Sequence, residues 1–245
     1  LNSAEKLIEE LVALEPIKTW SLIVTVFGDM NGKEITGKDL GLLLGRVGIK
    51  TEAMRVALHR LRKDGWIEST KSGREVTYRL SSHGLSETRA AYEDVYRQDA
   101  KYPEGWVICW VRQGFAAPPL SIPMDKALVL MPASAAAKAE NVVTLKFDDY
   151  PPPEWFASGL VQDKVLRQAS RIFDLAGFAE IHCMQSLPQA AIRLMLLHHW
   201  RKMALRPAVW AHISINPNGP LALCHGRVTD LLSALPNLSP ERFSR

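Results

Sequence analysis

Cysteine is scarce in this sequence: Cys109, Cys183 and Cys224 are the only three, an odd number set far apart. That excludes a disulfide-stapled scaffold and points to a reducing compartment, taken here as the cytoplasm. No Cys-x-x-Cys pair exists, so no thiolate zinc site is expected. Long apolar runs are also missing. Ala127-Leu128-Val129-Leu130-Met131 is among the longest, far short of the roughly 20 residues a membrane-spanning helix needs. The first residues, Leu1-Asn2-Ser3-Ala4-Glu5-Lys6, show no basic stretch leading into an apolar one, so no secretory leader and no membrane partner are expected. There is no Gly-x-Ser-x-Gly elbow and no glycine-rich loop closing on Lys-Ser or Lys-Thr. The usual local signatures of a serine hydrolase and of a P-loop phosphate site are therefore lacking. No repeat at a solenoid period is visible.

What is present is ordinary in bulk and uneven in detail. The 245 residues are 47% apolar and 23% charged, the composition of a globular chain with room for two domains or three small ones. The net charge of +4 hides an alternation. Residues 1–35 carry −3, residues 36–82 carry +5, residues 83–160 carry −3 and residues 161–245 carry +5. A basic block of that size is a candidate footprint for a polyanion, or a solvated surface.

The pattern along the chain separates these possibilities. Leu7, Leu11 and Leu14 form one stripe of an amphipathic helix over 4–14. Trp20 to Phe27 is apolar enough to be a helix or a buried strand. Thr36-Gly37-Lys38-Asp39 resembles a capping box with Asp for the usual Glu, and Gly45 to Gly48 closes the helix it starts. Thr51 is a plausible N-cap for a further helix to about Lys63. Trp66 to Thr70 and Glu75 to Leu80, with a turn at Lys71-Ser72-Gly73, read as a hairpin. Three helices and a hairpin, with about four residues between the second and third helices, is the order of a winged helix-turn-helix, whose third helix enters the major groove. A further helix is expected over 85–98. Strand-like runs at Trp106–Val111, Ala127–Met131 and Val142–Phe147 predict a small α/β middle domain, and helices follow at 159–177 and 188–205. Pro217, Gly219, Pro220, Pro236 and Pro240 favour short helices and loops in the tail.

The third helix is the most informative element. Met54, Ala57, Leu58 and Leu61 share one face; Arg55, His59 and Arg62 share another, with Glu52 a turn before Arg55. Guanidinium groups pair bidentately with guanine or clamp phosphate. Lys50, Thr51 and the positive end of the helix suit a phosphate, and Lys71 and Arg74 stand at the hairpin tip. The expected DNA-binding set is therefore Lys50, Thr51, Glu52, Arg55, His59, Arg62, Lys71 and Arg74.

Other constellations are weaker. His182-Cys183, His198-His199 and Cys224-His225 lack the i, i+4 spacing that would put two ligands on one helix face, so no metal is expected. His199 continues a stripe of packing residues. Asp148-Asp149 is a paired carboxylate beside Tyr150-Pro151 and reads as a strand-end turn. Arg193, Trp200 and Arg201 place basic groups beside an aromatic and could line a pocket for an anionic effector, or form the basic edge of a buried helix.

Taken together, Leu22-Ile23-Val24-Thr25-Val26-Phe27-Gly28-Asp29, Gly48-Ile49, Arg55-Val56-Ala57-Leu58-His59-Arg60-Leu61, Gly65-Trp66 and Tyr78-Arg79-Leu80 resemble the PaaX family of bacterial transcriptional regulators. Gly105-Trp106 looks like the family's Trp-led strand. Arg193 to Arg206 looks like its arginine-rich helix, with His199 in place of an expected acid. The resemblance implies an α+β chain of three parts. These are a winged helix-turn-helix at 1–98, a ferredoxin-like (Cas2-like) middle domain at 99–153 and a helical C-terminal effector and dimerisation domain at 154–245. It implies a non-enzymatic homodimeric repressor of phenylacetate catabolic genes, without a cofactor, released from its double-stranded operator by phenylacetyl-CoA or a related aryl-CoA. Two rival readings are a nuclease using the Cas2-like domain, which would need Asp148 and Asp149, and a module whose middle domain only dimerises.

Overall fold

The computed structural model describes residues 3–98, 105–145, 153–177 and 186–243. They form a mixed α+β chain with two small antiparallel sheets. The chain packs as two compact units: residues 1–97, 171–202 and 227–245 make the first, residues 98–170 and 203–226 the second. The segments expected as one C-terminal domain at 154–245 are thus shared between the two units.

In the first unit, α1 (Ser3–Ala13) is followed by α2 (Thr19–Asp29). The ambiguous run at 20–27 is helical. It is buried on nearly all sides, from Ser21 through Phe27, which explains why its apolar residues show no single-sided period. A two-residue strand β1 (Ile35–Thr36) leads into α3 (Gly37–Arg46). Thr36 is its N-cap: the hydroxyl oxygen accepts from the Asp39 amide at 3.0 Å and the hydroxyl donates to the Asp39 carboxylate at 2.8 Å. The N-cap half of the expected capping box is in place, with the Asp39 carboxylate on the Thr36 hydroxyl. Gly48, at φ +78°, ends the helix in the left-handed region, and the Ile49 amide reaches back to the Leu44 carbonyl at 3.0 Å. That is a six-to-one Schellman closure, and it sets the sharp turn into α4 (Thr51–Lys63).

The strands β2 (Ile67–Ser72) and β3 (Glu75–Leu80) then pair through a two-residue turn, Gly73-Arg74. The turn lies further along than Lys71-Ser72-Gly73, because Lys71 and Ser72 still pair in the ladder, with Val76 and Glu75. The sheet order is β1-β3-β2. A strand as short as β1 leaves no alternation to read. α5 (Ser82–Tyr96) follows, capped by the Ser81 hydroxyl. The unit is completed by α9 (Ser186–Ala204), the end of α8 (Asp163–Gly177) and the residues from 227 onward, including a turn of 3-10 helix at Pro240–Arg242.

The second unit is built on β4 (Trp106–Val111), β5 (Ile122–Asp125), β6 (Leu128–Pro132) and β7 (Val142–Leu145), in the order β5-β6-β4-β7. Cys109, Val111, Val129, Met131 and Ala136 form the buried cluster on one face, with Ala136 supplied by the four-residue α6 (Ala133–Ala136). The connection from β4 to β5 is a loop with no helix. α7 (Glu154–Gly159), the start of α8 (Asp163–Gly177), α10 (Pro207–Ile215) and the start of α11 (Pro220–Ala234) complete this unit. The helix expected at 159–177 is thus broken at 160–162. Two tail prolines, Pro207 and Pro220, open helices because a first-turn position needs no backbone N–H. Asp148, Asp149, His182 and Cys183 lie outside the described residues, so the paired-carboxylate and His-Cys readings stay expectations.

Candidate nucleic-acid interface

α4 carries the predicted residues, and its packing decides where each one points. Met54, Ala57, Leu58 and Leu61 are buried against the rest of the first unit, as their spacing requires. The remaining surface divides in three at 100° per residue. Glu52, Val56, His59 and Lys63, at i, i+4, i+7 and i+11, run along the crest opposite the buried stripe. Arg55 and Arg62 lie on the flank toward β3. Arg60 lies on the other flank, 5.9 Å over the Trp20 ring and 3.5 Å from Asp64.

The helix does not begin as expected. Lys50, not Thr51, is the N-cap residue, and its side chain makes no capping hydrogen bond. Thr51 is the first helical residue. Thr51, Glu52 and Ala53 are all exposed, so the α4 start presents amides to solvent at the positive end of the helix. α3 and α5, by contrast, both have side-chain caps.

The cations of this face differ in whether the protein already uses them. Arg79 is held by Glu68 at 3.0 Å and by Glu34 at 3.8 Å. Arg62 donates to the Ser69 hydroxyl on β2 at 3.5 Å. Lys50, Arg55, Lys63, Lys71 and Arg74 are exposed and have no side-chain partner among the described residues. Five cations on one helix and one hairpin therefore stand without a counter-charge.

Arg55, Leu58, His59 and Arg62 meet Tyr78 of β3 around a shallow cleft of about 200 Å³. The structure thus brings together the three α4 residues expected to act jointly. Three residues of this face were not singled out from sequence. Tyr78 alternates with the neighbouring strand residues and reads as half-core. Lys63 reads as a helix end. Val56 is 70% exposed, an apolar β-branched side chain on the crest of an otherwise polar helix face. That mismatch is the one signal that could have marked it.

The expected effector residues have different tasks. Arg193 is 1% exposed. Its Nε and one Nη donate to the two oxygens of Asp29, each at 2.7 Å. Its other donors go to the carbonyls of Leu232 and Leu235 at 2.6 and 2.7 Å and to the Asn237 amide oxygen at 2.8 Å. All five N–H groups of the guanidinium are spent. Asp29 also accepts from the Tyr96 hydroxyl at 2.6 Å and the Leu238 amide at 2.8 Å. Burial, and then the adjacent carboxylate, push the Tyr96 phenol far above its ordinary value. The buried Trp200 indole donates to the Val95 carbonyl at 2.9 Å. Arg201 donates to the Ser21 hydroxyl and carbonyl at 2.8 and 3.1 Å. Arg193 and Trp200 are closed to a ligand, and a charge as deeply placed as Arg193 must be paired within the protein. Arg201 is half-buried, and its Nε has no hydrogen-bond partner among the described residues.

The paired histidines are also interior. His198 Nδ1 lies 3.3 Å from the Thr25 hydroxyl. Burial, followed by the cationic neighbours, pulls its pKa down to about 3. His199 is fully buried, with Nε2 2.8 Å from the Leu11 carbonyl and Nδ1 3.3 Å from Glu15. No cluster of metal-ligating side chains occurs among the described residues, and no helix among them is long and apolar enough to cross a membrane.

Comparison with known proteins bears on the same region. Residues 18–84 match the family model described as PaaX-like protein. Over 112 residues the chain is 33% identical to the transcriptional repressor PaaX of Escherichia coli, a match that takes in 44% of this chain and 35% of that repressor. The likeness to PaaX therefore takes in the segment that holds the candidate interface. A solved structure, the uncharacterized protein Rv0674 from Mycobacterium tuberculosis, aligns over 91% of this chain and 96% of its own at 16% identity and a TM-score of 0.49.

Proposed function

We propose that the chain is a DNA-binding transcriptional regulator, acting as a repressor, with α2 through β3 as a winged helix-turn-helix domain. The observation that carries this reading is the set of uncompensated cations on α4 and the β2–β3 turn. Lys50, Arg55 and Lys63 lie along the helix, and Lys71 and Arg74 at the hairpin. On this reading α4 lies in a major groove. The uncapped α4 start and Lys50 take one phosphate, and the hairpin adds Lys71 and Arg74 on the neighbouring backbone. Arg55, His59 and Arg62 meet bases or adjacent phosphates, and Glu52 is placed to accept from a cytosine amino group. The likeness to a repressor over the same residues supports the class of function.

The chain acts as a homodimer on an inverted repeat, each α4 entering a groove one helical turn from the other. Its effector is phenylacetyl-CoA or another aryl-CoA, and it controls genes of aromatic acid breakdown. The effector works by binding better to a dimer geometry that misfits the operator. The sheet of the second unit is a reduced ferredoxin-like unit, whose first crossover is a loop.

The test is selection of binding duplexes from a random library with the full chain, followed by fluorescence anisotropy. Six to ten phosphate contacts per dimer predict a loss of about 10³–10⁵ in affinity between 50 and 200 mM salt. Absence of any retained duplex at 50 mM salt would sink the reading. A thermal-shift series with aryl-CoA thioesters tests the effector; no shift with any of them would remove it.

A further inference from the structure

The cleft beside α4 differs in chemistry from the crest of the helix. Its walls are Arg55, His59 and Arg62 on one side and Tyr78 on the other, with Leu58 as the apolar floor. No carboxylate lines it. Arg62 is steadied by Ser69, and Tyr78 is set by the strand ladder, opposite Ser69 on one side and Ile35 on the other. A cavity of about 200 Å³ admits a tetrahedral oxyanion. It lies between helix and hairpin, on the Arg55 and Arg62 flank, and reaches the crest only at His59. The residues around it carry two guanidinium forks and a phenolic hydroxyl, donors that suit the oxygens of a phosphate.

We infer that this cleft seats a backbone phosphate of the bound duplex, so that Arg55, Arg62 and Tyr78 position the helix while base recognition passes to the crest residues. The inference rests on the proposed DNA-binding reading and refines it. Arg55, which sequence spacing groups with His59 and Arg62 as residues for bases or adjacent phosphates, becomes an anchor of register. Phosphate contacts fix orientation without carrying sequence information. Substitution in the cleft therefore weakens all duplexes alike.

The test uses the full chain, one library-selected duplex and a scrambled duplex of equal length. Tyr78→Phe keeps the ring and removes one hydroxyl; Arg62→Ala removes one exposed cation. Tyr78→Phe is expected to weaken both duplexes about tenfold, the scale of one hydrogen bond to a charged group. Arg62→Ala is expected to lower the slope of log affinity against log salt by about one. The ratio of selected to scrambled affinity stays at the wild-type value in both variants. Unchanged affinity in both, with wild-type chain binding normally, overturns the inference and leaves the DNA-binding reading standing. A loss confined to the selected duplex also overturns it, because that is base recognition. If the wild-type chain retains no duplex, the DNA-binding reading falls and the inference falls with it. Circular dichroism melts that match the wild type show that the variants are folded.

Discussion

At the scale of single residues, the Asp29–Arg193 pair is the most constrained feature. Its attraction is offset by the cost of removing both charges from water, so its presence is poor evidence of added stability. Breaking it is another matter. Arg193→Ala leaves a buried carboxylate with half its partners and three acceptors with no donor. The expected loss is about 3–5 kcal/mol in urea unfolding. Arg193→Lys is expected to recover little, since an ammonium has three donors and cannot form the two-pronged contact. Full stability in Arg193→Lys would show that the five-bond geometry is unimportant.

His198 supplies a pH dependence. Its folded pKa of about 3 lies below the ordinary 6.5, so the native state binds fewer protons than the unfolded chain in that interval. The contribution is fully present above about 6.5 and is lost as the pH falls toward about 3. His212, pushed down by burial, acts in the same direction. Urea midpoints are expected to drop from pH 7 to pH 5, and His198→Gln is expected to flatten part of that drop. An equal drop in the variant would assign the effect elsewhere.

Among elements, the pairing of α2 with α9 shows where sequence reading stops. Ser21, Thr25 and Asp29, spaced by four on α2, meet Arg201, His198 and Arg193 on α9 in reverse order. An otherwise apolar helix thus carries a polar ladder along one edge. The α4 stripe, the α3 N-cap and the hairpin were legible because period and capping are local signals. The ladder was not, because Ser21 and Thr25 look bland until a partner more than 170 residues away supplies the other half. Arg193 and Trp200 looked like a ligand site for the same reason: composition shows a charge beside an aromatic but not the carboxylate that neutralises it. At the interface, Arg55, His59 and Arg62 were legible from spacing, whereas Tyr78 required the fold to bring β3 against α4.

Two glycines set the joints between elements. At Gly48 the left-handed backbone penalises any side chain, so Gly48→Ala is expected to cost about 1 kcal/mol. At Gly84, near the start of α5, an added Cβ would press on the Trp66 carbonyl. Gly84→Ala is expected to cost about 2–3 kcal/mol through forced backbone movement. Urea denaturation of both variants orders the two effects; a larger loss at Gly48 would contradict the packing around Gly84.

At the scale of the whole molecule, the first compact unit is discontinuous in sequence. It takes residues 1–97 together with 171–202 and 227–245. A fragment ending at residue 98 would therefore lack both the guanidinium that faces Asp29 and the α9 residues that cover α2. It is expected to unfold at lower urea than the full chain, with a broader transition, even though it contains every residue of the candidate interface. A fragment as stable as the whole chain would show that the later segments are dispensable to that fold.

The Asp29 carboxylate imposes an order of events on synthesis. Its last partner, the Leu238 amide, is 209 residues further along. At about 5–20 residues per second, a ribosome needs about 10–40 s to deliver it. During that interval the nascent helix α2 carries an ion without its counter-ion and an apolar surface without its cover. Such an exposed intermediate is what chaperones bind, so the candidate interface helix α4, which packs on α2, rests on a base completed only near the end of translation.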